Sequence, residues 1–323
     1  MTGVQTCALP IYRDVRDDDP NDVIPHQNRR ELRGSRLLAA WMNHWDAREQ
    51  NTMDVWFAVD KKDKRSSPGF VRHYILDTSD VVGGEADPEA LAHRLGHSYN
   101  LDFRDVGIDF ITFGIIERPW DRARVTKGRE KFGVFSARDF DPEAWIPLYP
   151  NPAMLRMTER DGAWMARIIA RFTPDNVRAI VASGEFHDPT DVDYLTQIML
   201  ERQHAILARY LMRLSPLADV HAVGDQLCAT DLARFASVLP AERFNYQVIE
   251  HAGGQRITLA PVLGPAGSVC FKPQSLAPAG LRDDAAERRT RFEIKNGTSA
   301  GPLEIHAYDL GPKGMFVVGL TRP

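Results

Sequence analysis

The stretch His44-Trp45-Asp46-Ala47-Arg48-Glu49-Gln50-Asn51 decides how this chain is read. It gathers an imidazole, a carboxylate and a carboxamide in a turn-prone segment, where Asp and Asn either cap backbone groups or carry chemistry. Upstream, from Arg29 to Trp45, residues Leu32, Leu37, Leu38, Trp41, Met42 and Trp45 fall mostly three to five positions apart, which predicts an amphipathic helix leading into the motif. Downstream, two β-prone runs, Met53 to Val59 and Phe70 to Leu76, flank the charged, Ser-, Pro- and Gly-containing segment Lys61 to Gly69 and read as a hairpin with a long loop. The second run ends in Tyr74-Ile75-Leu76-Asp77, so the order is helix, polar loop, hairpin, acid.

Further along, residues 87 to about 217 are mainly helical in pattern, interrupted from Arg118 to Pro152 by a Pro- and aromatic-rich passage that reads as an extended packing loop. Helix starts are legible at Thr158-Glu159-Arg160-Asp161, a capping-box spacing, and at Thr173-Pro174, with Pro at the first helical position. A longer helix is expected from about Asp191 to Leu214. Beyond Pro216 the pattern changes to short β-prone runs, Asn245 to Glu250, Arg256 to Ala260, Ser268 to Phe271, Arg291 to Lys295, Leu303 to Asp309 and Met315 to Leu320, separated by Gly- or Pro-bearing turns. The expected class is therefore α+β: a mainly helical part with a β-hairpin at its active region, residues 12–217, then a small all-β, sandwich-like domain, residues 218–323. The opening run Met1 to Ile11 resembles the translation of a sequencing-library adapter and is set aside from fold reasoning, with the natural gene expected to begin upstream.

With 323 residues, 43% apolar and 26% charged, the composition is that of an ordinary globular chain of roughly two domains. A net charge of −4 provides no basic field, so no nucleic-acid partner is expected. No run approaches the ~18 apolar residues of a spanning helix, so no membrane span is expected in this chain. Once Cys7 is set aside with the adapter run, Cys228 and Cys270 read as ordinary thiols, with no CxxC spacing and no implied metal or disulfide framework, and the compartment stays open.

The loop has the H-x-D-x-x-x-x-N spacing of a protein-kinase catalytic loop, and residues 29–80 resemble the C-terminal lobe of the protein-kinase-like superfamily, nearer its atypical and lipid-kinase-like branches. The resemblance implies a phosphotransferase using ATP and magnesium on an acceptor of unknown class. Asp46 would be the base that accepts the hydroxyl proton, with His44 beside it as a brace or proton carrier. Asn51 and Asp77 would hold metal and nucleotide phosphates, Asp77 standing where the Asp of D-F-G belongs, and Asp80 would be an assisting carboxylate ligand. The pattern departs from the family at Thr78-Ser79, which replace Phe-Gly, and at Trp45, which replaces the usual Arg. Residues 12–28 hold no glycine-rich loop and no strand lysine, so the chain by itself is expected to be inactive.

Two other readings compete. The altered Asp77-Thr78-Ser79-Asp80 run fits a pseudokinase-like scaffold whose β-rich part binds a partner. Residues His73, Asp77, His93 and His97 would make a metal-dependent hydrolase if they converged on one ion, although the His93/His97 pair lacks the Glu of H-E-x-x-H. Asp109-Phe110-Ile111 mimics D-F-G by letters, but lies far beyond the hairpin. Arg29, Arg30, Arg33 and Arg36 read as a solvated helix face rather than a phosphate patch. Asn296-Gly297-Thr298 is both a glycosylation sequon and a turn signal.

Overall fold

The computed structural model describes residues 4–5, 12–16, 19–60, 62, 67–83, 94–274, 288–298 and 301–323. They form α-helices and three antiparallel sheets, an α+β architecture with its β-rich part at the C-terminal end. The chain divides into two compact units, Met1–Met165 with Arg178–Arg202, and Ala166–Val177 with Gln203–Pro323.

In the first unit, β1 (Val4–Gln5) precedes α1 (Arg30–Met42), which buries Leu37, Ala39, Ala40 and Trp41 as the apolar spacing predicts. The helix stops short of Trp45 because Asn43 turns left-handed at φ 55° and its N–H folds back onto the Ala39 and Ala40 carbonyls. Arg202 completes that terminus. Its Nε donates to the Trp41 carbonyl at 2.9 Å and its Nη2 to that of Ala40 at 2.5 Å, setting a cation at the negative end of the helix dipole. The guanidinium also lies 3.7 Å from the Phe140 ring centroid.

The expected hairpin is present as β2 (Thr52–Ala58) and β3 (Gly69–Ile75), in register from Thr52 opposite Ile75 to Ala58 opposite Gly69, with β1 on the far side of β2. Gly69 has no room for a side chain, since a Cβ there would stand 2.4 Å from the Trp56 ring. Next comes α2 (Phe103–Thr112), capped by the Asp102 carboxylate, which accepts from the Arg104 and Asp105 amides. The passage from residue 118 to 152 holds no strand and no α-helix, only short 3-10 turns, as its prolines imply.

Three helices follow: α3 (Glu159–Ile169), α4 (Pro174–Ala182) and α5 (Pro189–Tyr210). Both predicted starts are real boxes. Thr158 and Asp161 exchange side-chain-to-backbone bonds at 2.8 and 3.3 Å, and Thr173 and Asn176 do the same at 3.3 and 3.2 Å.

In the second unit, β4 (Leu217–Val223) and β5 (Gln226–Asp231) precede the single turn α6 (Leu232–Phe235). They are followed by β6 (Gln247–Ala252), β7 (Gln255–Leu259), β8 (Pro261–Leu263), β9 (Ser268–Phe271), β10 (Arg289–Lys295), β11 (Leu303–Asp309) and β12 (Met315–Thr321). The sheets run β4-β5-β9-β8 and β12-β11-β10-β6-β7 and close on one core containing Leu227, Val269 and Phe271 from the first and Val248, Phe292 and Ile305 from the second, a sandwich.

The structure overturns the reading of Cys228 and Cys270 as thiols and decides between the two readings of Asn296-Gly297-Thr298. Pairing of β5 with β9 sets Cys228 opposite Cys270, and the two form a disulfide rather than remaining thiols. The Asn296 side chain is fully buried and donates to Asp231 Oδ2 at 2.9 Å, so the Asn-Gly pair acts as a turn and cannot present a sequon. Among the described residues, no helix is long and apolar enough to cross a membrane.

Candidate active site

The polar loop between α1 and β2 is held from three directions. From inside, Asp80, 3% exposed, places Oδ1 2.6 Å from His44 Nδ1, while its Oδ2 accepts the Asp46 backbone N–H at 2.8 Å. An ionised carboxylate only accepts, so His44 Nδ1 carries the proton of that bond. From the passage after residue 118, the Leu148 N–H donates to the Trp45 carbonyl at 2.8 Å and the Asn151 amide to the Ala47 carbonyl at 2.9 Å. From the hairpin, the Leu76 N–H donates to the Asn51 carbonyl at 2.8 Å. With Thr52 opposite Ile75, this last bond brings Asp77 to the loop's edge.

Within the loop, Asn51 is buried and its amide nitrogen donates to the Asp46 carbonyl at 3.0 Å and to Asp46 Oδ2 at 2.9 Å. The other Asp46 oxygen faces Arg48 Nε at 3.1 Å, and Arg48 lies 5.2 Å over the Tyr149 ring. Burial raises the Asp46 pKa; the Asn51 bond and Arg48 pull the other way, and the negative charges of Asp80 and Asp77 push it up again. Asp77 is exposed, left-handed at φ 52°, and accepts the Ser79 hydroxyl at 2.8 Å. Asp is one of the few residues that visit this backbone region at modest cost.

The site residues named from sequence are thus distributed as follows. Asp46 and Asn51 touch, Asp77 stands within electrostatic reach of Asp46, and Asp80 and His44 lie beneath as a brace. His44 Nε2 is enclosed without a hydrogen-bond partner among the described residues, which suits bracing better than proton traffic. His73 is exposed and packs edge-on against His26 at 5.6 Å. His97 stacks on Trp120 at 5.1 Å beside a cavity of about 40 Å³ also lined by Arg202 and Asp139. Burial, then the Arg202 charge, push the His97 pKa down to about 4 against the pull of Asp139. His93 lies outside the described residues. Asp109 sits on the exposed α2 and bonds Arg118 at 2.8 Å.

The arginines of α1 and its approach are engaged rather than free. Arg29 pairs with Asp22, and Arg33 grips Asp161 with two bonds of 2.7 Å. Arg36 donates to the Glu143 and Trp145 carbonyls, and Arg30 lies 6.0 Å over Trp164.

Among the described residues, no group of three or more His, Cys, Asp or Glu is placed to hold a metal. Magnesium does not need such a cage, because it keeps waters and takes one or two protein carboxylates plus substrate phosphates. The donors fit that pattern. Asp77 is exposed, whereas Asn51 is buried with its amide nitrogen committed to Asp46, so its amide oxygen is the only atom of that side chain left to serve as a ligand. Asp80 fits less well, since each of its oxygens already accepts a bond.

Sequence reasoning did not find Asn151 or the Arg48–Tyr149 pair. The signal for Asn151 was its place between Pro150 and Pro152, where an Asn side chain satisfies backbone that proline cannot. No family model, curated protein or solved structure matches this chain.

Proposed function

We propose that this chain carries the catalytic half of a divergent kinase-like phosphotransferase, in which a hydroxyl-bearing acceptor is phosphorylated from ATP in the presence of magnesium. The observation that supports this reading best is the Asp46 carboxylate. It is oriented by the Asn51 amide and Arg48, with its pKa raised by burial, and Asp77, just past the hairpin, lies within electrostatic reach of it.

A base works best when its pKa approaches the working pH, so burial of Asp46 favours proton acceptance. Asp46 would take the acceptor's hydroxyl proton as the acceptor oxygen bonds to the γ-phosphorus and the bond from that phosphorus to the β–γ bridging oxygen breaks, releasing ADP. Asn51 would fix the carboxylate's orientation through its nitrogen and offer its oxygen to the cation. Asp77 would supply the principal anionic ligand, and His44 with Asp80 would hold the Asp46 backbone in place. Magnesium, when bound, neutralises phosphate charge that builds up during transfer.

A scaffold without catalysis is the second reading, favoured by the use of both Asp80 oxygens in bracing, which leaves Asp77 as the one exposed acid of the run. The test is phosphoryl transfer by the full-length gene product from γ-labelled ATP with magnesium, for wild type, Asp46→Asn and Asp77→Ala. Turnover lost in both variants, with nucleotide binding lost only in Asp77→Ala, is the expected result. Nucleotide binding with no transfer, unchanged by either substitution, overturns the catalytic reading.

A further inference from the structure

From the exposed face of α2 we infer that this chain self-associates as a two-fold dimer through that helix and the segment following it. Phe103, Phe110, Ile111, Phe113 and Ile115 are 77, 82, 76, 90 and 81% exposed, and Val106 lies among them at 53%. At about 200 Å² per Phe and ~100 Å² per aliphatic side chain, that surface is on the order of 700 Å². The largest patch of a typical monomer is ~300–600 Å², whereas one side of a standard stable interface is about 800 Å². The face is therefore the size that one partner contributes to a dimer.

Gly107 supplies an independent reason to choose a second copy. It sits inside α2, where glycine weakens a helix, and it is not among the residues of positive φ. A Cβ built on it meets nothing within 4 Å, so no neighbour in the chain demands its smallness. Helical spacing puts it on the same face as Phe103, Phe110 and Ile111. A glycine notch between large apolar side chains lets a second backbone approach closely. About a two-fold axis at Gly107 two antiparallel α2 helices interlock, with Phe103 of one copy against Ile111 of the other and the reverse. Charges of both signs, Arg104 and Asp109, are exposed at the border, so neither copy presents a single-sign field to the other.

The test is the mass of the full chain by light scattering at micromolar concentrations, alongside Phe110→Asp, Gly107→Leu, and Gly107→Cys in a Cys7→Ser background. The expected results are twice the chain mass for wild type, one chain mass for Phe110→Asp, and a dissociation constant raised at least about tenfold for Gly107→Leu. The thermal midpoint of dilute Gly107→Leu should not fall, because its side chain meets open space within one chain. Gly107→Cys should cross-link to itself on mild oxidation. A single chain mass for wild type overturns the inference, as does a dimer that Phe110→Asp and Gly107→Leu leave intact. A monomer that co-sediments with phosphatidylcholine vesicles overturns it too, assigning the face to a lipid surface.

Discussion

Replacing Asp80 by Ala should unlock the candidate catalytic loop while touching no exposed group. The Asp80 carboxylate is buried and accepts two bonds, from His44 Nδ1 at 2.6 Å and from the Asp46 backbone N–H at 2.8 Å. Among the described residues neither donor has another partner, and each buried donor left unmade costs about 1–3 kcal/mol. Part of that is regained because a desolvated carboxylate is also removed, so the net loss should be about 3 kcal/mol. Asp80→Asn keeps an acceptor for one of the two donors and should lose about half as much. Asp77→Ala is the control: its side chain is exposed and, among the described residues, bonds only the neighbouring Ser79 hydroxyl, so apart from a left-handed backbone penalty of ~1 kcal/mol the fold should not notice it. The assay is urea unfolding followed by tryptophan fluorescence, since Trp41 and Trp45 flank the loop's start, together with hydrogen exchange of the Asp46 amide. A loss under ~1 kcal/mol for Asp80→Ala, or an equal loss for Asp77→Ala, would refute the division into a buried brace and an exposed ligand.

Other parts of the chain yield sharper numbers or signs. Reducing the Cys228–Cys270 disulfide, which spans 42 residues, should destabilise the sandwich by up to about 4 kcal/mol on the chain-entropy model, and a thermal midpoint unmoved by dithiothreitol contradicts this. His97, held near 4 when folded against an ordinary value of 6.5, binds a proton more readily when unfolded. Its contribution is fully present above about pH 6.5 and is lost as pH falls toward 4, a change of up to about 3 kcal/mol. Midpoints measured across that window should flatten in His97→Gln, and an NMR titration placing His97 above 6 would remove the argument. Arg33→Ala leaves Asp161 buried, unpaired and still engaged in the cap of α3, so a loss of about 3 kcal/mol is expected from thermal unfolding; a neutral result would mean solvent replaces the guanidinium.

The hairpin and the C-terminal strands were legible because aromatic and β-branched runs end at Pro68-Gly69, Gly253-Gly254 and Gly311-Pro312, where the chain must turn. Strands β4 and β5 were missed although Gly224-Asp225 between them is a two-residue hairpin signal, because Asp219 and His221 break up the β-prone run of Leu217–Val223. The disulfide was equally hidden, because Cys228 and Cys270 meet only through the β5–β9 register, which neither cysteine announces. At the site, the spacing from His44 to Asn51 and the exit acid Asp77 could be read locally. The bracing role of Asp80 could not, because it depends on the left-handed turn at Asp77 that folds the chain back beneath the loop. Asn151 reaches the loop across 104 residues of sequence, a distance over which periodicity carries no signal. Phe110 and Ile111 lie in a helix, and nothing in their local spacing shows that this helix presents them outward.

In the proposed reaction Asp46 and Asp77 act together on a nucleotide. Isothermal titration of the full-length gene product with ATP, with and without magnesium, followed by single-turnover transfer with Asp46→Asn, tests it most directly. Magnesium-dependent binding that Asp77→Ala abolishes is expected, together with binding but no transfer in Asp46→Asn. Magnesium-independent binding, or transfer that survives Asp46→Asn, would contradict it.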